Sequence, residues 1–571
     1  MAASVKASLP AEVKASTRLV REGGKVCIIG GGTTGLLAAR CCLDDGLLPT
    51  IFERTQRVGG VWRLDEAPTR VAYDLLYMNS SGRMMSASDY PLPEPLRDVF
   101  LGRQDICDYY DAFVEAKGLR PYLHFGCEVT SVKKVADGGW MVQVSQSGGA
   151  AGREEPEHFD AVFVAAGQFH LPMVPDIPGR DNFRGRVLHS SAYRSSKGLA
   201  GKQVLVVGIG NSALDIALEA AVEGAQVTIL CRSGALIIPV ADYFGHPVDQ
   251  MLNTRIWQAM PPKLRGLIFW QLIKGTNERF TSYGLPKPEA GKAMRTSNLK
   301  DSVQFGRFLQ AGKISFVEGS IKSFEESTVV LTGSKGRLQA DEIILCTGYR
   351  KRFPYLEPTI EDPLIRREID KECVKCRVVR RLPIIDANVQ LAQLKEEREV
   401  ACHLNAYKLI MHPKEPTLCV LGWVLSYGNE SCVGELQARW AISHWIGRAP
   451  LPPKEAIERE LQTRLRRGRY PEFVPYVSYM DELAEACQAL PDLSWAAFFR
   501  NPILFWKLFL GPTVPAQYRL KGPHANVEEA AKMVRSAPVV AHRMAGLFIA
   551  PPHSFSATAP RRGPGVPASR L

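Results

Sequence analysis

Two glycine-rich loops stand where main chain could close around phosphate. The first, in KVCIIGGGTTGLLAARCCLDDGLLPTIFER, spaces its glycines as Gly30-x-Gly32-x-x-Gly35. Gly30 permits a tight turn, Gly32 lets backbone approach a pyrophosphate, and Gly35 lets the next helix lie close to the preceding strand. A pyrophosphate there meets a helix N-terminus, whose unpaired N–H groups and aligned peptide dipoles favour negative charge. The second loop, in KQVLVVGIGNSALDIALEAAVEGAQVTILCRSG, reads Gly208-x-Gly210-x-x-Ala213. Its Asn211 and Ser212 add polar side chains at the helix entry and count among the binding candidates.

The two units differ at the end of their second strand. Eighteen positions after Gly35 stands Glu53, next to Arg54; eighteen after Ala213 stands Cys231, next to Arg232. A carboxylate at this place binds the ribose hydroxyls of an adenosine, which suits FAD in the first unit. A 2′-phosphate would repel that carboxylate, so its loss beside a guanidinium points to NADP in the second. One chain with both sites joins hydride delivery from NADPH to flavin chemistry.

The elements that must hold these loops are strand, helix, strand, twice over. An apolar run, Val26 to Ile29, precedes the first loop, an apolar helix comes after it, and PTIFER supplies the next strand. The expected fold is α/β with two Rossmann-like dinucleotide-binding domains and a helical C-terminal region. The expected layout has a flexible N-terminus over 1–19, an FAD domain over 20–196 and 336–450, and an NADP domain over 197–335 inserted within it. A charged stretch at 365–400 reads as an insertion, 451–550 as helices covering the site, and 551–571 as a disordered tail.

Between the loops lies FRGRVLHSSAY, which places Phe183, Gly185, His189 and Tyr193 at fixed gaps. This run resembles the identifying sequence of flavin-containing monooxygenases, Phe-x-Gly-x-x-x-His-x-x-x-Tyr/Phe, animal-type members in particular. Baeyer–Villiger oxygenases carry a similar run ending in Trp and usually Pro, whereas this chain has Tyr193-Arg194. Other segments are similar too. RVGGVW, with Gly60, Val61 and Trp62, resembles the flavin-contacting segment. FVAAGQFHLPMVPDIPG and LCTGYR resemble the two interdomain connectors, and GELQARWA and GPTVPAQYRLKGP the late segments. YMNSSGRMMSASDYPLP resembles the active-site segment, which maps the family's asparagine onto Asn79, although Gly82 stands where a lysine is usual.

The resemblance implies that NADPH reduces FAD and that oxygen adds at the flavin C4a carbon, giving a hydroperoxide that a nucleophilic amine or sulfide attacks. Such chemistry needs a dry pocket rather than an acid–base pair. It makes Asn79 the catalytic candidate, an amide hydrogen-bonding near the oxygenated flavin. Read from the residues alone, Asn-Ser-Ser-Gly is a turn, and His189 is a hydrogen-bonded link between domains. The alternatives are Baeyer–Villiger oxygenation of ketones and a non-catalytic FAD/NADP redox sensor. A disulfide reductase would need two pairable cysteines near the flavin, and the adjacent Cys41 and Cys42 point to different helix faces. Cys373 and Cys376, with His403, make a poor zinc set, so no metal is expected.

The rest of the composition sets bounds. A net charge of +12 is spread along 571 residues, without the aromatic-plus-basic modules of nucleic-acid binding. Thirteen cysteines without regular spacing suit a reducing compartment. No run reaches the roughly 18 apolar residues of a spanning helix. The closest, ILFWKLFL at Ile503 to Leu510, reads as a packing helix that could instead make a peripheral membrane contact. The terminal Ser569-Arg570-Leu571 resembles a peroxisomal address, with cytoplasm or the endoplasmic reticulum surface as the alternative location.

Overall fold

The computed structural model describes residues 18–64, 71–146, 155–241, 246–287, 296–332, 336–369, 399–465 and 472–539. All but residues 18 and 19 of the flexible start expected over 1–19, the centre of the charged stretch with Cys373 and Cys376, and the tail with its Ser-Arg-Leu end lie outside these residues.

Short runs of Val, Ile, Leu and Phe form strands buried on both faces, as parallel sheets under helices require. The first sheet orders its five strands as Leu418–Val420, Ala161–Val164, Lys25–Ile29, Leu48–Glu53 and Leu123–Phe125. Every pair is parallel, and Ile28 lies between Ile51 and Phe163 in register. The helix Thr33–Asp44 packs on this sheet, and the helix Glu430–Trp445 packs on that helix. Residues Ser431 to Trp445 are all buried, so this second helix is a core strut rather than an amphipathic surface helix.

The second parallel sheet runs Ile314–Glu318, Gln226–Cys231, Gln203–Val207, Glu342–Leu345 and Arg186–His189. Here the boundaries depart from the expected ones. Both Arg186–His189 and Glu342–Leu345 fall within the expected FAD domain, yet they pair with each other and close one side of this sheet. The physical reason is that Ile343 and Ile344 are fully buried, in register with Leu205 and Val206 on one side and with Val187 and Leu188 on the other. The domain crossings therefore fall after Val164 and after Leu345, inside the two connectors.

A three-stranded antiparallel sheet, Cys127–Lys134, Trp140–Gln146 and Glu157–Phe159, flanks the first sheet. The charged stretch begins and ends in a paired hairpin, Ile365–Ile369 with Glu399–Leu404. Beyond residue 450 come the helices Lys454–Leu465, Tyr476–Ala486, Trp495–Arg500, Pro502–Leu510 and Val527–Ser536. They are tied back by a buried ion pair, Arg519 Nη2 to Glu435 Oε1 at 2.9 Å, with Arg519 Nε donating to Ser88 Oγ at 2.6 Å. The helix Pro502–Leu510 packs on the helices Arg255–Ala259, Trp495–Arg500 and Val527–Ser536, with Leu508 buried and Ile503 and Trp506 left exposed. Among the described residues no helix is long and apolar enough to cross a membrane.

Candidate active site

Both glycine loops open into one cleft of about 2110 Å³, lying between the two parallel sheets. It is lined by Gly30, Gly32, Glu53, Arg54, Gly60, Val61, Trp62 and Asn79 from the first glycine-loop unit and the segment after it. From the second it is lined by Gly208, Gly210, Asn211, Ser212 and Arg232. Of the expected site residues only Gly35 and Ala213 stay outside, because they serve packing. A Cβ on Gly35 would sit 2.0 Å from the Gly30 carbonyl oxygen. Ala213 is fully buried in its helix.

In the first loop Gly30 has φ +109°, a conformation that favours glycine, and a Cβ there would meet the Ala165 carbonyl oxygen at 2.7 Å. The Gly31 N–H donates to Glu53 Oε2 at 2.8 Å, and the Thr55 N–H donates to Glu53 Oε1 at 2.9 Å. These bonds hold the buried carboxylate at the end of its strand, facing the cleft. The segment Arg57 to Trp62 lies over the loop: the Gly59 N–H donates to Gly31 O at 3.1 Å, and a Cβ on Gly60 would stand 3.1 Å from Gly32 Cα.

In the second loop Gly208, with φ +126°, passes so close to Cys346 that a Cβ would lie 2.4 Å from its carbonyl oxygen. At Gly210 a Cβ would meet nothing within 4 Å. No described protein atom crowds that position, which leaves the N-terminus of the helix Asn211–Glu223 open to the cleft, as a pyrophosphate site needs. Asn211 has a job beyond the one expected: its Oδ1 accepts from the Asn298 N–H at 2.8 Å, tying the loop to the strand Thr296–Leu299. Arg232 is exposed at the end of the strand Gln226–Cys231 and faces the cleft, while Cys231 is buried.

Asn79 lines the cleft, and its Oδ1 is shielded from solvent with no hydrogen-bond partner. A buried amide oxygen left unpaired costs about 1–3 kcal/mol, so a ligand group is the fitting partner. The neighbouring residues are firmly held. Asn429 Nδ2 donates to Ser80 Oγ at 2.6 Å, and Asp249 Oδ2 accepts from the Ser81 N–H at 2.7 Å and from Ser81 Oγ at 3.1 Å. Burial pushes the Asp249 carboxyl up to about 6, against the pull of those bonds. Glu430, exposed in the first turn of its helix, also lines the cleft, its Oε1 accepting from Gln168 Nε2 at 3.3 Å.

Sequence reasoning missed Asp249, Asn429 and Glu430. Signals existed for two of them: Asn429 begins NES, a helix N-cap whose side chain accepts from the Ser431 N–H, and Asp249 stands two after Pro247 in a helix first turn.

Of the run Phe183 to Tyr193, Ser190 alone lines the cleft. Phe183 packs on Phe324, and a Cβ on Gly185 would lie 2.4 Å from the Asp341 carbonyl oxygen. His189 Nδ1 accepts from the Ser191 N–H at 3.1 Å, so its Nε2–H donates to Gly348 O at 3.1 Å in the second connector. That pair of bonds defines a neutral imidazole, and burial lowers its proton affinity. Tyr193 is fully buried against Tyr73, with ring centroids 6.1 Å apart. Among the described residues no group of His, Cys, Asp or Glu could hold a metal ion, and no disulfide joins the described cysteines.

A family model described as flavin-binding monooxygenase-like matches residues 23–372 and 389–536. The N-oxide-forming dimethylaniline monooxygenase 2 of Oryctolagus cuniculus is 33% identical over 522 residues, covering 87% of this chain and 89% of the relative. Among solved structures, S-allyl-L-cysteine S-oxygenase from Allium sativum aligns with TM-score 0.54 at 22% identity, over 81% of this chain and 88% of that one. Oxidized steroid monooxygenase bound to NADP aligns with TM-score 0.54 at 17% identity, over 81% and 97%. The last two establish the fold.

Proposed function

This chain belongs to the flavin-binding monooxygenase-like family and is an NADPH-dependent flavoprotein monooxygenase; from that premise we propose that it oxygenates the soft nitrogen or sulfur of small molecules. The observation that carries the proposal is the single cleft shared by both nucleotide loops and the unpaired amide oxygen of Asn79. The first loop, with Glu53, would hold FAD; the second, with Arg232, would hold NADPH. Bound FAD supplies oxygen activation once NADPH has reduced it. The protein's part is to orient, to keep water out and to offer hydrogen bonds. Leu236, Ile238, Leu252, Phe269 and Leu425 give the cleft an apolar wall. Such a wall favours neutral, lipophilic substrates and excludes the water that would consume an activated oxygen species.

Nitrogen or sulfur is preferred over a ketone because the linking run ends Tyr193-Arg194 and the rabbit relative is N-oxide-forming. A panel of tertiary amines, thioethers and ketones, with product mass read beside NADPH consumption, tests this. Amines and thioethers should gain one oxygen while ketones stay unchanged. Esters formed from ketones, with amines and thioethers untouched, would replace this reading with Baeyer–Villiger chemistry.

A second reading concerns where the enzyme works. Trp495 is 75% exposed, Phe499 78% and Ile503 66%, on two adjoining helices that also expose Arg500. Trp495 and Phe499 pack against Phe498, forming one aromatic surface. An aromatic surface edged by a cation suits the boundary of an anionic bilayer, which supports peripheral membrane contact. Sedimentation with phosphatidylcholine–phosphatidylserine vesicles should carry the protein down, and Phe499→Ser should weaken partitioning about fivefold, the effect of losing half a side chain's burial. Partitioning unchanged by Phe499→Ser would show that this surface does not meet lipid.

A further inference from the structure

We propose that Asp249 is a positioning residue that fixes, through Ser81, the main chain carrying Asn79, and so links the oxygenation site to the second nucleotide loop. The link to oxygenation rests on the reading of Asn79 given above; the clamp itself rests on geometry.

Asp249 belongs to the short helix Val248–Leu252, which follows the second glycine-loop unit in the chain and is buried throughout. It reaches a segment 168 positions earlier, where one carboxylate oxygen accepts both the backbone N–H and the hydroxyl of Ser81. Gln250 adds a third bond, donating from Nε2 to Ser81 Oγ at 3.1 Å, and a fourth to Asp98 Oδ1 at 2.7 Å. Asn429 grips the adjacent Ser80 from the start of the core helix. Asn79 is thus presented by a length of backbone held by Asn429 through Ser80 and by Asp249 through Ser81, while its own amide oxygen stays unpaired.

The same helix is joined to the second loop by a continuous path. The Val248 N–H donates to Val240 O at 2.9 Å, and the Val240 N–H donates to Leu299 O at 3.1 Å. Leu299 ends the strand whose Asn298 N–H donates to Asn211 and whose Ser297 hydroxyl donates to Ile209 O. Every step between the NADP-side loop and Ser81 is a hydrogen bond or one to three residues of covalent chain. Ordering the loop around a nucleotide should therefore stiffen the Ser81 anchor.

Amide hydrogen exchange on the FAD-loaded enzyme tests the clamp directly, read over the stretch from Tyr77 to Met85. Asp249→Asn should exchange about fivefold faster there, the expected effect of weakening one buried hydrogen bond. NADP⁺ should slow exchange in the wild type but not in Asp249→Asn. In turnover, the share of NADPH appearing as hydrogen peroxide should rise about fivefold, with FAD content unchanged. Ser81→Ala, which keeps the backbone bond and loses only the hydroxyl, should give a smaller shift of the same kind. Because the effect passes through Asn79, Asp249→Asn should add little in an Asn79→Ala background. Wild-type exchange and wild-type peroxide in Asp249→Asn would overturn the clamp, and full additivity would overturn the route through Asn79. Normal coupling in Asn79→Ala alone would instead sink the reading of Asn79, leaving the clamp to be decided by exchange.

Discussion

Asn79→Ala enzyme will fold, bind FAD and take up hydride from NADPH, but it will release much of the consumed reducing power as hydrogen peroxide. The flanking residues explain why the lesion should be confined. Ser80 and Ser81 make their bonds to Asn429 and Asp249 whatever side chain precedes them, so the backbone keeps its path. The group removed is an amide whose shielded oxygen has no protein partner. An amide can hydrogen-bond an oxygenated reactant without offering it an acidic proton, and thus supports oxygen transfer without hastening decay. Losing one transition-state hydrogen bond of ~1.4 kcal/mol or more lowers oxygenated product by a factor of about ten or more. Product yield measured against peroxide and NADPH decides the matter. Wild-type coupling in this variant would return Asn79 to the role of a turn residue.

The second large effect should come from Arg232. Arg232→Ala is expected to weaken NADPH binding by ~1.5–3 kcal/mol, the range for charged hydrogen bonds, while NADH binding changes little. The difference between the coenzymes is one 2′-phosphate, and Arg232 is an exposed guanidinium at the strand end facing the cleft. Its neighbour Cys231 occupies the place where the first unit has Glu53, so no carboxylate from that position opposes the phosphate. Titration calorimetry with both coenzymes gives the answer. Arg232→Lys should keep part of the affinity, because the charge survives while the planar fork does not. Equal losses for NADPH and NADH would make Arg232 a structural residue.

How much of this site is legible in the sequence depends on whether its physics is local. The glycine loops are legible because turn, close approach and helix packing are each set within six residues, and the contrast of Glu53 with Cys231 sits at a fixed offset from them. The parallel α/β fold comes out of the same units. Asp249 is not legible: its partner Ser81 is far away in the chain, and a buried carboxylate near a proline looks like any helix start. The domain limits slip for a related reason. Arg186–His189 is a plain four-residue strand whose sequence does not say which sheet edge it will join. The helix Pro502–Leu510 is legible as a packing helix from its apolar run, but the sequence does not say that Ile503 and Trp506 stay exposed.

The order of strands has a consequence for synthesis. Every strand of the second parallel sheet lies between residues 186 and 345, whereas the first sheet needs Leu418–Val420 to complete it. A chain leaving the ribosome from its N-terminus can therefore close the second sheet while the first still shows an open edge beside Ala161–Val164. The helix Glu430–Trp445, which covers Thr33–Asp44, arrives later still. The glycine loop made first is thus the one whose surroundings are finished last, and the nascent FAD half must wait, unsealed, for more than half of the chain behind it.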